Sequence, residues 1–217
     1  MPAWSYSALT SFETCPRKHY ETRVAKRVSE APSEEMTWGN NVHKALELRA
    51  KEGKPLPVGM TQWEPMMRRL LDLPGDLLAE TQYALDQDFK PTEWFSQDVW
   101  LRAIIDFGKL STTNAVALDY KTGKVKTDID QLRLFAAVLL TLHPDLEQVH
   151  TGYVWLKSKS IHREVYTRQQ EDELWAGFLP RVSRLERAYR DDTWPERPSG
   201  LCRAWCPVVN CRHNGRH

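Results

Sequence analysis

Apolar residues recur along the chain with two spacings, and each spacing predicts one kind of element. Spacings of three and four residues predict helices over residues 7–28, after Gly39, and over residues 62–73, 129–142 and 169–190, the last with a kink at Pro180. Alternating or continuous apolar runs predict strands over residues 77–89, 98–110, 115–120, 150–156 and 162–167. Polar or Gly/Pro-rich stretches predict loops over residues 29–37 and 51–59. This order of elements predicts an α/β or α+β fold in which helices flank a mixed central sheet.

The length and the charge of the chain set broad limits on its domain number, its partners and its location. A chain of 217 residues is long enough for one domain with a real core, so we expect a single domain over residues 1–217. The formal net charge of +1 neither indicates nor excludes binding to nucleic acid. The N-terminus lacks the apolar stretch of a secretory signal, and the longest apolar run, residues 134–142, is too short for a bilayer. We therefore expect a cytoplasmic protein, or one of the host cytoplasm if it is viral, with no membrane partner.

Two aspartates are predicted at the ends of apolar strands. Asp106 follows Ile104 and Ile105, and Asp119 follows the apolar residues 116–118. Carboxylates on neighbouring strands can share one divalent cation, and Mg²⁺ prefers oxygen ligands of this kind. Lys121 comes two residues after Asp119, so its side chain is expected on the same side of the strand. This pattern predicts a site where a metal ion activates water and an ammonium stabilises the charge that develops on a phosphate.

The motifs around these aspartates resemble the RecB-like branch of the PD-(D/E)XK nucleases. Asp106, Asp119 and Lys121 resemble the signature of the whole class, and three further motifs stand in the order that the branch shows. They are Gly39-x-x-x-His43, Asp119-Tyr120-Lys121-Thr122-Gly123, and Gln131-x-x-x-Phe135, where the family has tyrosine at the last position.

The resemblance implies a restriction-endonuclease-like core and a role for each matched residue. It implies that His43, Asp106 and Asp119 hold Mg²⁺ or Mn²⁺, with Glu80 on the preceding strand as a further acidic ligand. It also implies that Lys121 assists the attacking water and that Gln131 reaches the active site. Taken singly, each of these residues is more often an ordinary surface or core residue, so the hypothesis rests on the ordered set.

The four cysteines lie at the two ends of the chain, one near the start and three near the end: Cys15, Cys202, Cys206 and Cys211. In a reducing compartment this distribution favours a metal site over disulfides. Residues 7–20 resemble the opening of the iron-sulfur group of RecB-like nucleases, which includes AddB helicase-nucleases and CRISPR adaptation exonucleases. That resemblance implies a [4Fe-4S] cluster joining residues 1–28 to residues 194–217.

Zinc is the alternative metal at this site. The C-terminal spacing here is C-x3-C-x4-C, whereas the iron-sulfur group usually shows C-x2-C-x5-C. Thiolates are soft ligands that suit either zinc or an iron-sulfur cluster, and His213 or His217 can substitute for one of them. Either metal would be structural, because it would close most of the chain into one loop.

DNA is the expected partner, and two groups of basic residues are candidates for phosphate contacts. They are Arg17, Lys18, Arg23, Lys26 and Arg27 on the first helix, and Lys121, Lys124, Lys126, Lys157 and Lys159 near the expected cleft. Trp38, Trp94 or Trp205 can stack on unpaired bases, although single tryptophans are more often packed. The predicted function is a metal-dependent DNA nuclease, an exonuclease on single-stranded ends, with a helicase or recombination protein as a candidate partner. The alternative is a non-catalytic DNA-binding module of a repair or recombination complex that keeps a structural metal cluster.

Overall fold

The predicted mixed sheet is present in the computed structural model, which describes residues 2–29, 33–125 and 127–215. Within these residues five strands form one sheet in the order β1-β2-β3-β4-β5. The strands are β1 (Asp76–Leu85), β2 (Leu101–Leu110), β3 (Asn114–Lys121), β4 (Gln148–Trp155) and β5 (Ser160–Thr167). Only the β3–β4 pair is parallel among the described strands, and the other three pairs are antiparallel. This arrangement confirms an α/β fold with a mixed central sheet flanked by helices.

The helices follow the predicted order, with boundaries that local chemistry explains. They are α1 (Tyr6–Thr14), α2 (Pro16–His19), α3 (Glu34–Glu52), α4 (Glu64–Leu71), α5 (Asp130–Leu142) and α6 (Glu171–Arg190), together with a short π-helical segment at Tyr20–Val24 and 3₁₀ turns at Thr61–Trp63, Arg168–Gln170 and Gly200–Cys202. The prediction of one helix over residues 7–28 was wrong at two points, because extended backbone at Cys15 separates α1 from α2 and the helical segment ends at Val24. The predicted loop over residues 29–37 was wrong from Glu34 onward, since the Ser33 hydroxyl accepts a hydrogen bond from the Met36 N–H at 3.2 Å and caps α3 there.

The helices bury apolar side chains against both faces of the sheet. Val42 and Leu46 lie one turn apart on α3, are fully buried, and pack in one cluster with Val154 of β4. Tyr153 and Trp155 cluster instead with Leu132 of α5. Because successive strand residues point to opposite faces, α3 and α5 cover opposite sides of the sheet. Each fully buried aliphatic side chain contributes about 1.5–3 kcal/mol, so these contacts fix α3 and α5 relative to the strands.

The chain divides into two compact units. The central unit is Ser33–Ala176 and holds the sheet, whereas the terminal unit consists of Met1–Pro32 and Gly177–His217. Both ends that were expected to form the cysteine-bound clasp, residues 1–28 and 194–217, belong to the terminal unit. The expectation of a single domain stays a prediction. In the described part of the chain, no helix is both long enough and apolar enough to cross a bilayer.

Candidate active site

His43 lies on α3 and points both ring nitrogens at polar partners. Its Nε2 donates a hydrogen bond to the carbonyl oxygen of Tyr120 at 2.9 Å. Its Nδ1 lies 3.3 Å from Asp106 Oδ2 and 3.7 Å from Glu80 Oε1. The helix therefore presents the imidazole directly to two carboxylates of the sheet.

Glu80 is held in an unusual backbone conformation within β1. Its φ angle is 43°, in the left-handed region that residues with a side chain rarely adopt. The residues of β1 on both sides of Glu80 pair regularly with β2, but Glu80 itself has no pairing partner there. The Thr81 hydroxyl accepts a hydrogen bond from the Ala79 N–H at 3.0 Å. Such strain costs about 1–3 kcal/mol and persists where the surroundings impose it, which is frequent at functional sites.

Asp106 lies in the middle of β2, so the prediction that it ends a strand was wrong. The pairing of β2 with β3 stops at Phe107 and Leu118. Where that pairing stops, the Asp106 carboxylate accepts a hydrogen bond from the Tyr120 N–H at 2.8 Å. The aspartate thus lies between two strands that separate here. Its carboxylate satisfies the Tyr120 N–H, which has no partner in the β2–β3 ladder.

Three of these side chains form a group able to hold a metal ion. The ligand atoms of His43, Glu80 and Asp106 all lie within 4.8 Å of one another, and within the described residues no other such group occurs. His43 and Glu80 of this group line a cleft of about 570 Å³ that Gly39 and Thr122 also line. A Cβ atom at Gly39 would lie 3.3 Å from the Thr122 hydroxyl, so glycine lets α3 approach the turn after β3 closely.

Asp119, Lys121 and Gln131 form a second cluster that extends the first. Gln131 Nε2 donates to Asp119 Oδ1 at 2.6 Å, and Lys121 Nζ donates to Gln131 Oε1 at 2.9 Å. Lys121 Nζ also lies 2.7 Å from Asp119 Oδ2, in an ion pair. Two residues of β3 and one residue of the first turn of α5 therefore lie together in one cluster.

The charges of the two clusters influence each other. Burial lowers the pKa of His43, but hydrogen bonds to Asp106 and Glu80 and the negative charges of Asp106 and Asp119 raise it to about 10. Burial, together with the negative charge of Asp106, raises the pKa of Asp119 to about 7, although Lys121 and His43 oppose the rise. A site with this excess of carboxylates attracts a cation, and a divalent ion would relieve the repulsion between them.

The four cysteines line one small cavity in the terminal unit. The cavity has a volume of about 80 Å³, and each cysteine is half-buried and free of disulfides. Two sulfurs face backbone donors, because the Arg197 N–H points to Cys15 Sγ at 3.5 Å and the Ser199 N–H to Cys202 Sγ at 3.3 Å. The fold therefore brings the cysteine of α1–α2 to the three C-terminal ones.

His213 also lines this cavity, but its Nε2 lies 3.3 Å from a carboxylate oxygen of Glu196. Two other residues named in the sequence analysis, Lys126 and His217, lie outside the described residues. Trp38 and Trp205 are exposed, whereas Trp94 is half-buried and stacks against the guanidinium of Arg102 at 5.3 Å.

Comparison with known proteins places this architecture in a family. The model of the PD-(D/E)XK nuclease superfamily matches residues 3–211. The chain belongs to this superfamily. Among solved structures, the PD-(D/E)XK chain is similar to a "Putative exonuclease" from Eubacterium rectale, at 13% identity and a TM-score of 0.56, over 94% of this chain and 86% of that one. It is also similar to SSO0001, at 14% identity and a TM-score of 0.52, over 99% of this chain and 88% of that one. No curated protein matches the chain.

Membership in the PD-(D/E)XK superfamily makes the protein a nuclease of a metal-dependent class, and the carboxylate group is its candidate metal site. Two features of the site were missed in the sequence. The backbone carbonyl of Tyr120 faces His43, and the Tyr153 ring lies beside Lys121. The Tyr120 carbonyl could have been anticipated, because Tyr120 lies inside the Asp-x-Lys motif. No sequence motif includes Tyr153.

Proposed function

We propose that the protein hydrolyses DNA phosphodiester bonds with Mg²⁺ or Mn²⁺, as an exonuclease on single-stranded ends. The observation that carries this proposal is the convergence of His43, Glu80 and Asp106 beside the linked cluster of Asp119 and Lys121. Metal ligands and an ammonium at one strand junction are the minimal set for hydrolysis of a phosphodiester.

Each residue has a proposed role in that reaction. His43, Asp106 and Asp119 hold the ion, with Glu80 as a further ligand. The ion supplies Lewis-acid activation of water and of the phosphate when it is bound. Lys121 orients the water and stabilises negative charge on the phosphate, while Gln131 keeps Lys121 and Asp119 in register through its two side-chain contacts.

The distribution of charge supports a nucleic-acid partner. The terminal unit contains 13 lysines and arginines against 7 aspartates and glutamates, whereas the central unit contains 17 against 22. The near-neutral chain is thus composed of a basic unit and an acidic unit. A positively charged surface of this kind attracts the phosphates of DNA.

We also propose that the four cysteines bind a [4Fe-4S] cluster, as in the AddB-like and CRISPR adaptation group. All four cysteines are among the described residues, carry no disulfide and line one cavity. Four thiolates suit a cluster or zinc, and the distribution of one cysteine near the start and three near the end, which resembles the iron-sulfur group, favours the cluster. Anaerobically purified protein should be brown and contain iron and sulfide, whereas a colourless preparation with stoichiometric zinc would overturn this proposal.

A cleavage assay tests the catalytic proposal. The substrates are single strands and duplexes labelled at either end, with Mg²⁺, Mn²⁺ or EDTA present. The wild-type protein should shorten single strands only with a divalent ion, and folded Lys121→Ala and Asp119→Ala variants should lose at least about a hundredfold in rate. Either variant cleaving at the wild-type rate would refute the assigned roles.

A non-catalytic DNA-binding module is the competing function. It predicts metal-independent binding of labelled single strands, with no cleavage under any of these conditions. The intact cluster of Asp119, Lys121 and Gln131 favours the enzyme, because a module that only binds DNA has no use for an ammonium held against a buried carboxylate.

A further inference from the structure

Tyr153 contacts the candidate active site from a strand that carries none of the predicted site residues. It lies on β4 and is paired with Asp119 across the parallel β3–β4 ladder. Its ring centroid lies 5.0 Å from Lys121 Nζ, within the range of a cation–π contact. The side chain is only 3% exposed, so water does not weaken this contact much.

The same side chain also reaches the first turn of α5. A hydrogen bond from the Gln131 backbone lowers the pKa of the Tyr153 phenol, although burial and the charge of Asp119 outweigh it and raise that pKa overall. Ile129, which precedes α5, supplies no capping side chain, so an N–H group of the first turn is open to such a partner. The phenol of Tyr153 is thus near enough to the Gln131 backbone to influence its pKa, while its ring contacts the ammonium that the Gln131 side chain binds.

We infer that Tyr153 is a positioning residue, whose ring holds the Lys121 ammonium in place for the cleavage reaction. The inference rests on the proposed nuclease function. The ring restricts Lys121 from one side, and Gln131 Oε1 restricts it from another at 2.9 Å. The packing of Tyr153 against Trp155, with ring centroids 5.6 Å apart, fixes the ring itself.

Kinetics of four variants test the inference. Tyr153→Leu should lower kcat about tenfold and leave KM within about twofold, because Lys121 acts on the transition state. Tyr153→Phe keeps the ring and should retain kcat within about threefold. Tyr166 is a matched control, since it is a buried tyrosine on the neighbouring strand β5 and its hydroxyl has no partner atom among the described residues. Tyr166→Leu and Tyr166→Phe should leave kcat nearly unchanged.

A double-mutant cycle separates positioning from general stability. If Tyr153 acts through Lys121, then Tyr153→Leu should cost nothing further in kcat when it is added to Lys121→Ala. A full tenfold loss on that background, an equal loss in Tyr166→Leu, or a Tyr153→Phe variant as impaired as Tyr153→Leu would each overturn the inference.

A measurement without catalysis keeps the two proposals distinguishable. Reductive ¹³C-methylation of the folded protein labels the lysines, and the Lys121 signal is assigned by its loss in Lys121→Arg. The ring current of Tyr153 should displace that signal, and the displacement should vanish in Tyr153→Leu but persist in Tyr153→Phe. A protein that cleaves no DNA but shows this displacement would refute the nuclease proposal while the contact stands. A Lys121 signal that is the same in wild type and Tyr153→Leu would refute the contact whatever the activity.

Discussion

Metal binding at this site should release one proton, and that proton should come from His43. The Asp106 and Glu80 carboxylates lie 3.3 Å and 3.7 Å from His43 Nδ1. Burial lowers the pKa of His43, but these two neighbours, together with the negative charge of Asp119, raise it to about 10. A histidine that coordinates a cation must be neutral, so the ion and the proton compete for the ring.

The pKa fixes the size and the sign of the effect. At pH 8, two units below the pKa, His43 is about 99% protonated, so each bound ion should release about one proton. Because deprotonation favours the ion, affinity should rise with pH by about tenfold per unit between about pH 8 and 9, and level off above about pH 10. Asp119, whose pKa is raised to about 7, is about nine-tenths ionised at pH 8 and should contribute only about 0.1 proton.

Isothermal titration calorimetry with Mn²⁺ at pH 8 measures the released protons directly. The apparent binding enthalpy is compared in two buffers of different ionisation enthalpy, for wild type and for His43→Asn. The variant keeps an uncharged ligand of similar reach and should release almost no proton. Fewer than about 0.3 protons from the wild type, or a full proton from His43→Asn, would refute the assignment of His43 as a protonated ligand.

Three further perturbations test other parts of the structure. Glu80→Gln keeps the side-chain shape but removes a negative charge, so it should weaken Mn²⁺ binding by about 10–100-fold, as measured by electron paramagnetic resonance of the free ion; an unchanged affinity would exclude Glu80 as a ligand. Gly108→Ala should destabilise the protein by about 2–4 kcal/mol in urea unfolding, because its Cβ would lie 2.4 Å from the Val116 carbonyl oxygen, whereas Gly200→Ala meets no atom within 4 Å and should be neutral. Cys206→Ser should lose visible absorption and bound iron in anaerobic preparations; retention of both would show that Cys206 is not a cluster ligand.

Much of the site was predictable because its residues lie within short motifs on regular elements. Asp119 and Lys121 are two residues apart, and strand geometry alone places them on one side of β3. Gln131 is the second residue of the helix that follows, and its side chain forms hydrogen bonds with both of them. Where a motif and its element coincide, the chain needs no long-range information to assemble the cluster.

The other features of the site depend on strand pairing and on local irregularities of the backbone. Neither can be predicted from sequence motifs. The contact of Tyr153 with Lys121 follows from the parallel register of β3 and β4, and a whole helix intervenes between those strands. The orientation of Glu80 follows from a φ of 43°, which no propensity rule assigns to a glutamate inside a strand. Asp106 was expected at a strand end, but β2 continues for four more residues and it is the partner strand that separates.

The distribution of charge shows why whole-chain composition is a poor guide to the partner of this protein. A net charge of +1 arises because an excess of six positive charges in the terminal unit nearly cancels an excess of five negative charges in the central unit. The basic unit is assembled from both ends of the chain, so the net charge of the whole chain does not display it. The acidic excess includes the carboxylates that repel one another around the candidate metal site, where they favour a divalent cation. A neutral total is therefore compatible with strong attraction for phosphates in one unit and for metal ions in the other, which is the combination that cleavage of DNA requires.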